Sequence, residues 1–388
     1  MSGMWKRAWV LVASLGCSAC VGTAPTETTD AAVDVTPRFD AGLVDAGREV
    51  VDASADASRA DADGGSLYDA STAIGDASSP APECDPRLTY PATESRPITV
   101  GGQAAWAHDE GVPYGIFHTF DALVACSGDT PRRVHVLLPR DYETSGLRHP
   151  VLYANDGQTA FWSGDSLSGV SWDMQGALSE LARCHAIERP IVVAIRPLDR
   201  DREYTHEAAY PGRACCGIDA YTRYVADCLR PFVDTHYRTH TGPAHTAIVG
   251  SSHGGLAAFW IATARPDVFG AAASLSPSFW VGLDSIGVVG GPLDSSPLLD
   301  HARPTLSARD ARPRLYVDWG LVRTGGFHNT FIEDGATRRG REMEALLRAT
   351  YGYTDVELRT VEDPIGAHDE ASWARRFPDV VRWLFPRE

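Results

Sequence analysis

From about residue 115 to the C-terminus, short apolar runs bounded by Gly and Pro alternate with longer stretches whose apolar positions recur every three or four residues. The short runs predict strands over 117–124, 133–138, 151–154, 191–195, 246–249, 271–274, 315–318 and 356–361. The longer stretches predict helices over 172–183, 221–237, 256–264, 338–350 and 373–384. Strands alternating with helices pair in parallel through crossovers, so the expected fold class is α/β, a mostly parallel central sheet with helices on both faces. One such domain is expected over 84–388.

The pattern is missing from 21–83, which is built of Asp, Ala, Ser, Thr and Gly, as in Asp52-Ala53-Ser54-Ala55-Asp56-Ala57-Ser58. A segment so poor in aromatic and branched residues cannot bury enough apolar area to offset the entropy of ordering, so it is expected to be a disordered linker without chemistry. Before it, a Lys6-Arg7 pair precedes an apolar run from Ala8 to Val21. That run is shorter than the roughly 20 residues that span a bilayer, and 1–20 reads as a secretory signal peptide. Its end, Gly16-Cys17-Ser18-Ala19-Cys20, resembles a bacterial lipoprotein cleavage site, although the Leu usual three residues before the Cys is missing. Export to the cell envelope as a lipoprotein, or to the exterior, is therefore expected, with a membrane reached only through an N-terminal lipid. With Cys20 lipidated and Cys17 removed, six cysteines remain: Cys84, Cys126, Cys184, Cys215, Cys216 and Cys228. An even number in an exported chain suggests disulfides, in one of roughly 15 connectivities.

The formal charge is −16, of which the 13 Asp or Glu and three Arg of 21–83 contribute −10. This balance excludes a nucleic-acid binder, which needs a basic stripe to track phosphates. Chemistry is instead expected at Gly250-Ser251-Ser252-His253-Gly254. The apolar run Ala247-Ile248-Val249 precedes it and Gly255-Leu256-Ala257-Ala258 follows. Ser252 thus sits in a strand-turn-helix, the setting of a serine nucleophile on a strained elbow. A serine needs a base, and the base needs an acid to hold its tautomer, in the chain order Ser, acid, His. Among His301, His328 and His368, the last lies between the final strand and the final helix, where such a base belongs.

Matching stretches then make the likeness specific. They are Val151-Leu152-Tyr153-Ala154-Asn155-Asp156-Gly157-Gln158, Arg202-Glu203-Tyr204-Thr205, Ile248 through Leu256, Leu275-Ser276-Pro277-Ser278-Phe279-Trp280 and Gly366 through Trp373. Together they resemble the putative esterase family of α/β-hydrolases, with enterochelin (siderophore) esterases, feruloyl and acetyl xylan esterase modules and antigen 85-type acyltransferases, over about 115–388. The resemblance implies Ser252 as nucleophile, His368 as base, and an oxyanion hole from the backbone N–H groups of His253 and Gln158. It departs at the acid. The family usually carries Asp or Glu three residues after the glycine that ends this strand, but Val317-Asp318-Trp319-Gly320 is followed by Leu321-Val322-Arg323. Asp318, at a strand C-terminus, is the first substitute, with Glu333 and Asp334 of the extended loop as alternatives.

No cofactor or metal is expected. His236, His240 and His245 lack zinc-like spacing and read as a surface run. Trp162, Trp172, Trp280 and Trp319 fall at loops or strand ends, so some are candidates for lining a pocket. The expected function is an exported serine esterase that hydrolyses carboxylic esters through an acyl-enzyme. Its partner is a small-molecule or saccharide ester of siderophore, feruloyl or acylated-sugar type. The alternatives are an acyltransferase of antigen 85 type and a catalytically decayed surface binding module.

Overall fold

A computed structural model describes residues 84–387. The expected signal peptide and linker, 1–20 and 21–83, lie outside the described residues. Ten strands form one mixed sheet in the order β1-β2-β3-β4-β6-β5-β7-β8-β9-β10. They are β1 (Thr93–Val100), β2 (Gln103–Asp109), β3 (Gly115–Leu123), β4 (Arg132–Pro139), β5 (Val151–Ala154), β6 (Ile191–Ile195), β7 (Thr246–Ser251), β8 (Ala271–Leu275), β9 (Arg314–Gly320) and β10 (Leu358–Asp363). Pairing is antiparallel from β1 through β4 to β6 and parallel from β6 through β5, β7, β8 and β9 to β10. The chain is an α/β protein of α/β-hydrolase type.

The central parallel strands β5 to β8 are buried along their whole length because both faces are covered. Tyr153, Val193 and Ile248 belong to one apolar cluster, while Leu152, Ala154, Val192, Ala247 and Val249 belong to a second. This is why these strands read as unbroken apolar runs rather than as alternation. Helix Met174–Arg183 and helix Glu370–Leu384 put residues such as Leu178 and Phe377 into the second cluster. Helix His253–Ala264 is apolar all round and sits within the first. The helix anticipated over 221–237 starts at Ile218, passes through a π-helical turn at Tyr224–Leu229 and ends at His236.

Strands β1 and β2 were not anticipated. Their hairpin turns at Gly101-Gly102, with φ of +57° and +75°, a pair that two-residue hairpins favour. The sequence held that signal, but β1 is mostly exposed and carries Pro97, so no apolar alternation accompanied it. Helix Pro297–Ser307 was also missed, since it contains Pro304 within it. The six cysteines pair as Cys84–Cys184, Cys126–Cys228 and Cys215–Cys216.

Candidate active site

The strand order reverses where β5 lies between β6 and β7, and the crevice beyond the C-terminal ends of such strands is where open α/β sheets place ligands. Ser252 stands there, between β7 and the helix His253–Ala264, with φ 55° and ψ −121°. A non-glycine residue held in this region stores on the order of 1–3 kcal/mol of strain, which the surroundings must enforce. They do so by close approach. A Cβ at position 250 would come within 2.3 Å of the Gly254 carbonyl oxygen, and one at 254 within 2.9 Å of Asp156 Oδ2. At 250, where the obstacle is backbone, only glycine fits, and at 254 a Cβ would push the Asp156 carboxylate aside. The Ser252 N–H donates to the Leu275 carbonyl (2.9 Å) and its carbonyl accepts from the Ser278 N–H (3.0 Å).

The end of β5 clamps this elbow. Asn155 Nδ2 donates to the Gly254 carbonyl (2.9 Å), and the amide is itself held by the Tyr221 hydroxyl (2.8 Å). Asp156 adopts a left-handed conformation, φ 56° and ψ 48°, that turns the chain into the short helix Gly157–Ala160. Its carboxylate accepts two hydrogen bonds from Arg200 (2.8 and 2.9 Å) and one from Gln158 Nε2 (3.1 Å). Its backbone N–H donates to the Tyr204 hydroxyl (2.9 Å). Arg200 also reaches the Ser251 carbonyl (3.4 Å). The first N–H groups of a helix have no partner within it, so the amides of His253 and Gln158, one at each of two neighbouring helix starts, are free of intrahelical acceptors.

The His253 imidazole faces Ser278 Oγ (2.9 Å), and that hydroxyl is in turn 3.4 Å from Ser252 Oγ. Burial, together with the nearby charges of Arg200 and His368, pushes the His253 pKa down to about 3. The ring is neutral at ordinary pH.

His368 lies in the loop between β10 and the helix Glu370–Leu384 and is 7% exposed. Its Nδ1 is 2.5 Å from Glu333 Oε2. The other Glu333 oxygen accepts from the Ser276 hydroxyl (2.9 Å) and from the Gly320 N–H. Burial opposes the charge on Glu333, but the hydrogen bond and charge of His368, with the Gly320 amide and Arg376, outweigh it and hold the carboxyl below its usual range. An ionised carboxylate only accepts, so Nδ1 is the donor in this hydrogen bond.

Asp318, the acid first expected from sequence, does not pair with His368. It is fully buried, accepts from the Ser276 N–H (3.1 Å) and lies 3.3 Å from Arg376 Nε. Burial pushes its pKa up to about 7 in spite of Arg376. Asp334 turns away to Arg338 (3.2 Å) and Arg323 (3.5 Å). The physical reason for the correction lies in the segment after β9. Arg323 folds back onto the Gly320 and Val322 carbonyls and Thr337 Oγ1. The chain then runs through a π-helical turn, His328–Ile332, and the next helix, Glu333–Ala349, begins by returning Glu333 to the end of β9. The Gly320 amide that marks the family's acid position thus meets a carboxylate thirteen residues further on.

Other expectations resolve simply. His301 stacks on Trp260 (3.6 Å between centroids), whereas His328 lies 6.0 Å from the His368 ring. Trp172 and Trp319 are core residues, and Trp162 packs on Phe117 and His135. Trp280 alone of the four lies against the site, 5.9 Å from the His253 ring. Sequence reasoning overlooked Arg200, Asp156 as its partner, Ser276 and Ser278. The run Asp199-Arg200-Asp201-Arg202-Glu203-Tyr204 was the available signal for the first.

Comparison with known proteins gives the family. The model of the family described as "Putative esterase" matches residues 127–384, and the chain belongs to that family. Among curated proteins, an uncharacterized protein, YbbA of Bacillus subtilis (strain 168), is 21% identical over 267 residues, covering 66% of this chain and 92% of the relative. Among solved structures, an IroE-like serine hydrolase from Shewanella oneidensis superposes with a TM-score of 0.51 at 20% identity, over 66% of this chain and 76% of that one. The BES protein from Bacillus cereus gives 0.51 at 14% identity, over 70% and 95%.

Proposed function

We propose that this member of the esterase family is an exported serine hydrolase that cleaves carboxylic esters through an acyl-enzyme on Ser252. The observations that carry the reading are the strained Ser252 elbow, a buried His368–Glu333 pair whose imidazole charge is felt at the adjacent His253, and two helix-start amides without intrahelical acceptors. Ser252 Oγ attacks the ester carbonyl while His368 Nε2 takes its proton. The carbonyl oxygen becomes an oxyanion held by the amides of His253 and Gln158. Collapse expels the alcohol, which leaves with the proton from His368 and gives an acyl-Ser252. Water then attacks, delivering its proton to Nε2, and the carboxylic acid departs as Ser252 regains its hydrogen. Glu333 keeps the tautomer and supports the imidazolium throughout. Three disulfides support the export part, because such bonds persist in oxidising compartments.

A serine-directed fluorophosphonate probe tests the reading. The native protein labels and the Ser252→Ala variant does not. An unlabelled native protein that is correctly folded would overturn it.

A further inference from the structure

Beside the catalytic centre lies a cavity of about 250 Å³ lined by Tyr210, Trp280, Ile286, Val288, Val289 and Phe331. Four of these residues are apolar and about half or more open to solvent: Ile286 59%, Val288 60%, Val289 57% and Phe331 49%. A contiguous exposed apolar patch on a chain of charge −16 calls for an occupant. The patch is built rather than accidental. Ser285 and Val288 exchange two backbone hydrogen bonds (3.0 and 2.9 Å) around Gly287, whose φ is +77°. The Gly290 N–H is tied to Asp284 (2.9 Å). The aliphatic residues are therefore presented on a fixed turn.

The cavity connects to the nucleophile. The Trp280 ring stands between Tyr210 (5.6 Å) and His253 (5.9 Å), and Ser278, two residues before it, touches Ser252 Oγ. On its other side Gly335, two residues beyond Glu333, lies so close that a Cβ there would meet Trp280 Cδ1 at 3.0 Å. Its charged lining is already engaged. Arg338 is shared between Asp334 (3.2 Å) and Asp284 (3.5 Å), and Asp284 is also bound by Arg339 (2.6 Å). Arg338 Nε is left without a partner, but a polyhydroxylated group entering here would lose more water contacts than this one donor replaces. An aliphatic chain would lose nothing.

We propose that this cavity is an acyl-chain subsite for a neutral aliphatic acyl group. Its volume of about 250 Å³ holds a short aliphatic chain rather than a single methyl group. Trp280 and Ser278 join the cavity to Ser252 and His253, which hold the acyl carbonyl; Phe331, Ile332 and Gly335 border it from the Glu333 side, so the comparison of octanoate esters with octyl acetate decides between the acyl and the alcohol side. This inference rests on the esterase reading above and narrows its substrate.

The test compares p-nitrophenyl acetate, butyrate, hexanoate and octanoate as substrates of the native protein and of an Ile286→Asp/Phe331→Asp double variant, both positions being surface-exposed. In the native protein kcat/KM rises about two- to threefold per added methylene, a discounted share of the value of burying one. In the double variant the octanoate-to-acetate ratio falls at least tenfold. A flat native series, an unchanged ratio, or a chain-length preference that follows octyl acetate instead of octanoate esters overturns the subsite. Separately, methyl octanoate is titrated into the Ser252→Ala variant with tryptophan fluorescence as the readout. Saturable binding that the two Asp substitutions abolish supports the subsite even should the native protein hydrolyse nothing, an outcome that would overturn only the esterase reading. Hydrolysis of acetate without any octanoate binding overturns only the subsite.

Discussion

Two buried carboxylates stand on either side of Ser276, and their surroundings have made them different groups. Glu333 takes the Ser276 hydroxyl and faces His368, while Asp318 takes the Ser276 N–H and faces Arg376. Both are fully removed from solvent. Glu333 gathers the Gly320 amide, a hydroxyl and an imidazole N–H, so its charged form is held and its pKa falls. Asp318 has one amide and an ion pair with Arg376 that lacks a well-formed hydrogen bond, its Oδ2 remaining without a donor, and burial lifts its pKa to about 7. Burial alone does not decide the charge of a carboxyl group. What distinguishes the two is the number of donors aimed at the carboxylate.

The comparison has meaning only if Ser252 is the nucleophile it serves, and Ser252→Ala carries the largest expected effect. Hydrolysis of p-nitrophenyl acetate should fall about 10³-fold or more with the thermal midpoint unchanged. Retention of a tenth of the native rate would remove the basis for ranking the carboxylates at all. Next comes Glu333→Gln. An amide in place of the carboxylate favours the wrong imidazole tautomer, so kcat should drop roughly 10³-fold with little change in KM. Steady-state kinetics on folded protein checks this, and a loss below tenfold would leave Ser252 and His368 acting without Glu333.

The elbow at Ser252 was legible in the sequence because it is written in consecutive residues: β7, Gly250 to Gly254 and the helix that follows encode it locally. His368 was legible for a similar reason, as a loop residue between the last strand and the last helix. The acid was not. Asp318 and Glu333 are both near β9, and only the return of the chain through the π-helical turn at His328–Ile332 decides which meets the imidazole. That is a tertiary outcome, with no period or motif to announce it. The Asp156–Arg200 clamp joins residues 44 apart in the chain and was invisible for the same reason. A smaller effect is expected there. Arg200→Gln should lower kcat about tenfold by loosening the Gln158 amide, and should also lower the thermal midpoint because Asp156 is left buried and uncompensated. Adding Asp156→Asn should restore the midpoint but not kcat. Recovery of both would make the pair a stability device rather than a positioning one.

The smallest effect on turnover, and the sharpest probe of the comparison, is Asp318→Asn. Activity should stay within about threefold of native, since Asp318 touches neither Ser252 nor His368. Its signature belongs in stability against pH. A carboxyl whose folded pKa is raised binds its proton more tightly in the fold than in the unfolded chain, where the value is about 3.9. Its contribution is therefore fullest below about pH 4 and is lost as the pH rises toward about 7, beyond which it is flat. Glu333 carries the opposite sign: its lowered pKa contributes stability above the unfolded value of about 4.3, and that contribution is lost on acidification. Urea titrations of the native protein and the two amide variants across pH 3 to 8 separate the terms. Asp318→Asn should flatten the fall in unfolding free energy between pH 4 and 7, by at most about 1.4 kcal/mol per pH unit for one proton. Glu333→Gln should instead soften the loss at the acid end. Should both variants alter the same limb, the two carboxylates share one environment, and the division of labour drawn from their donors fails.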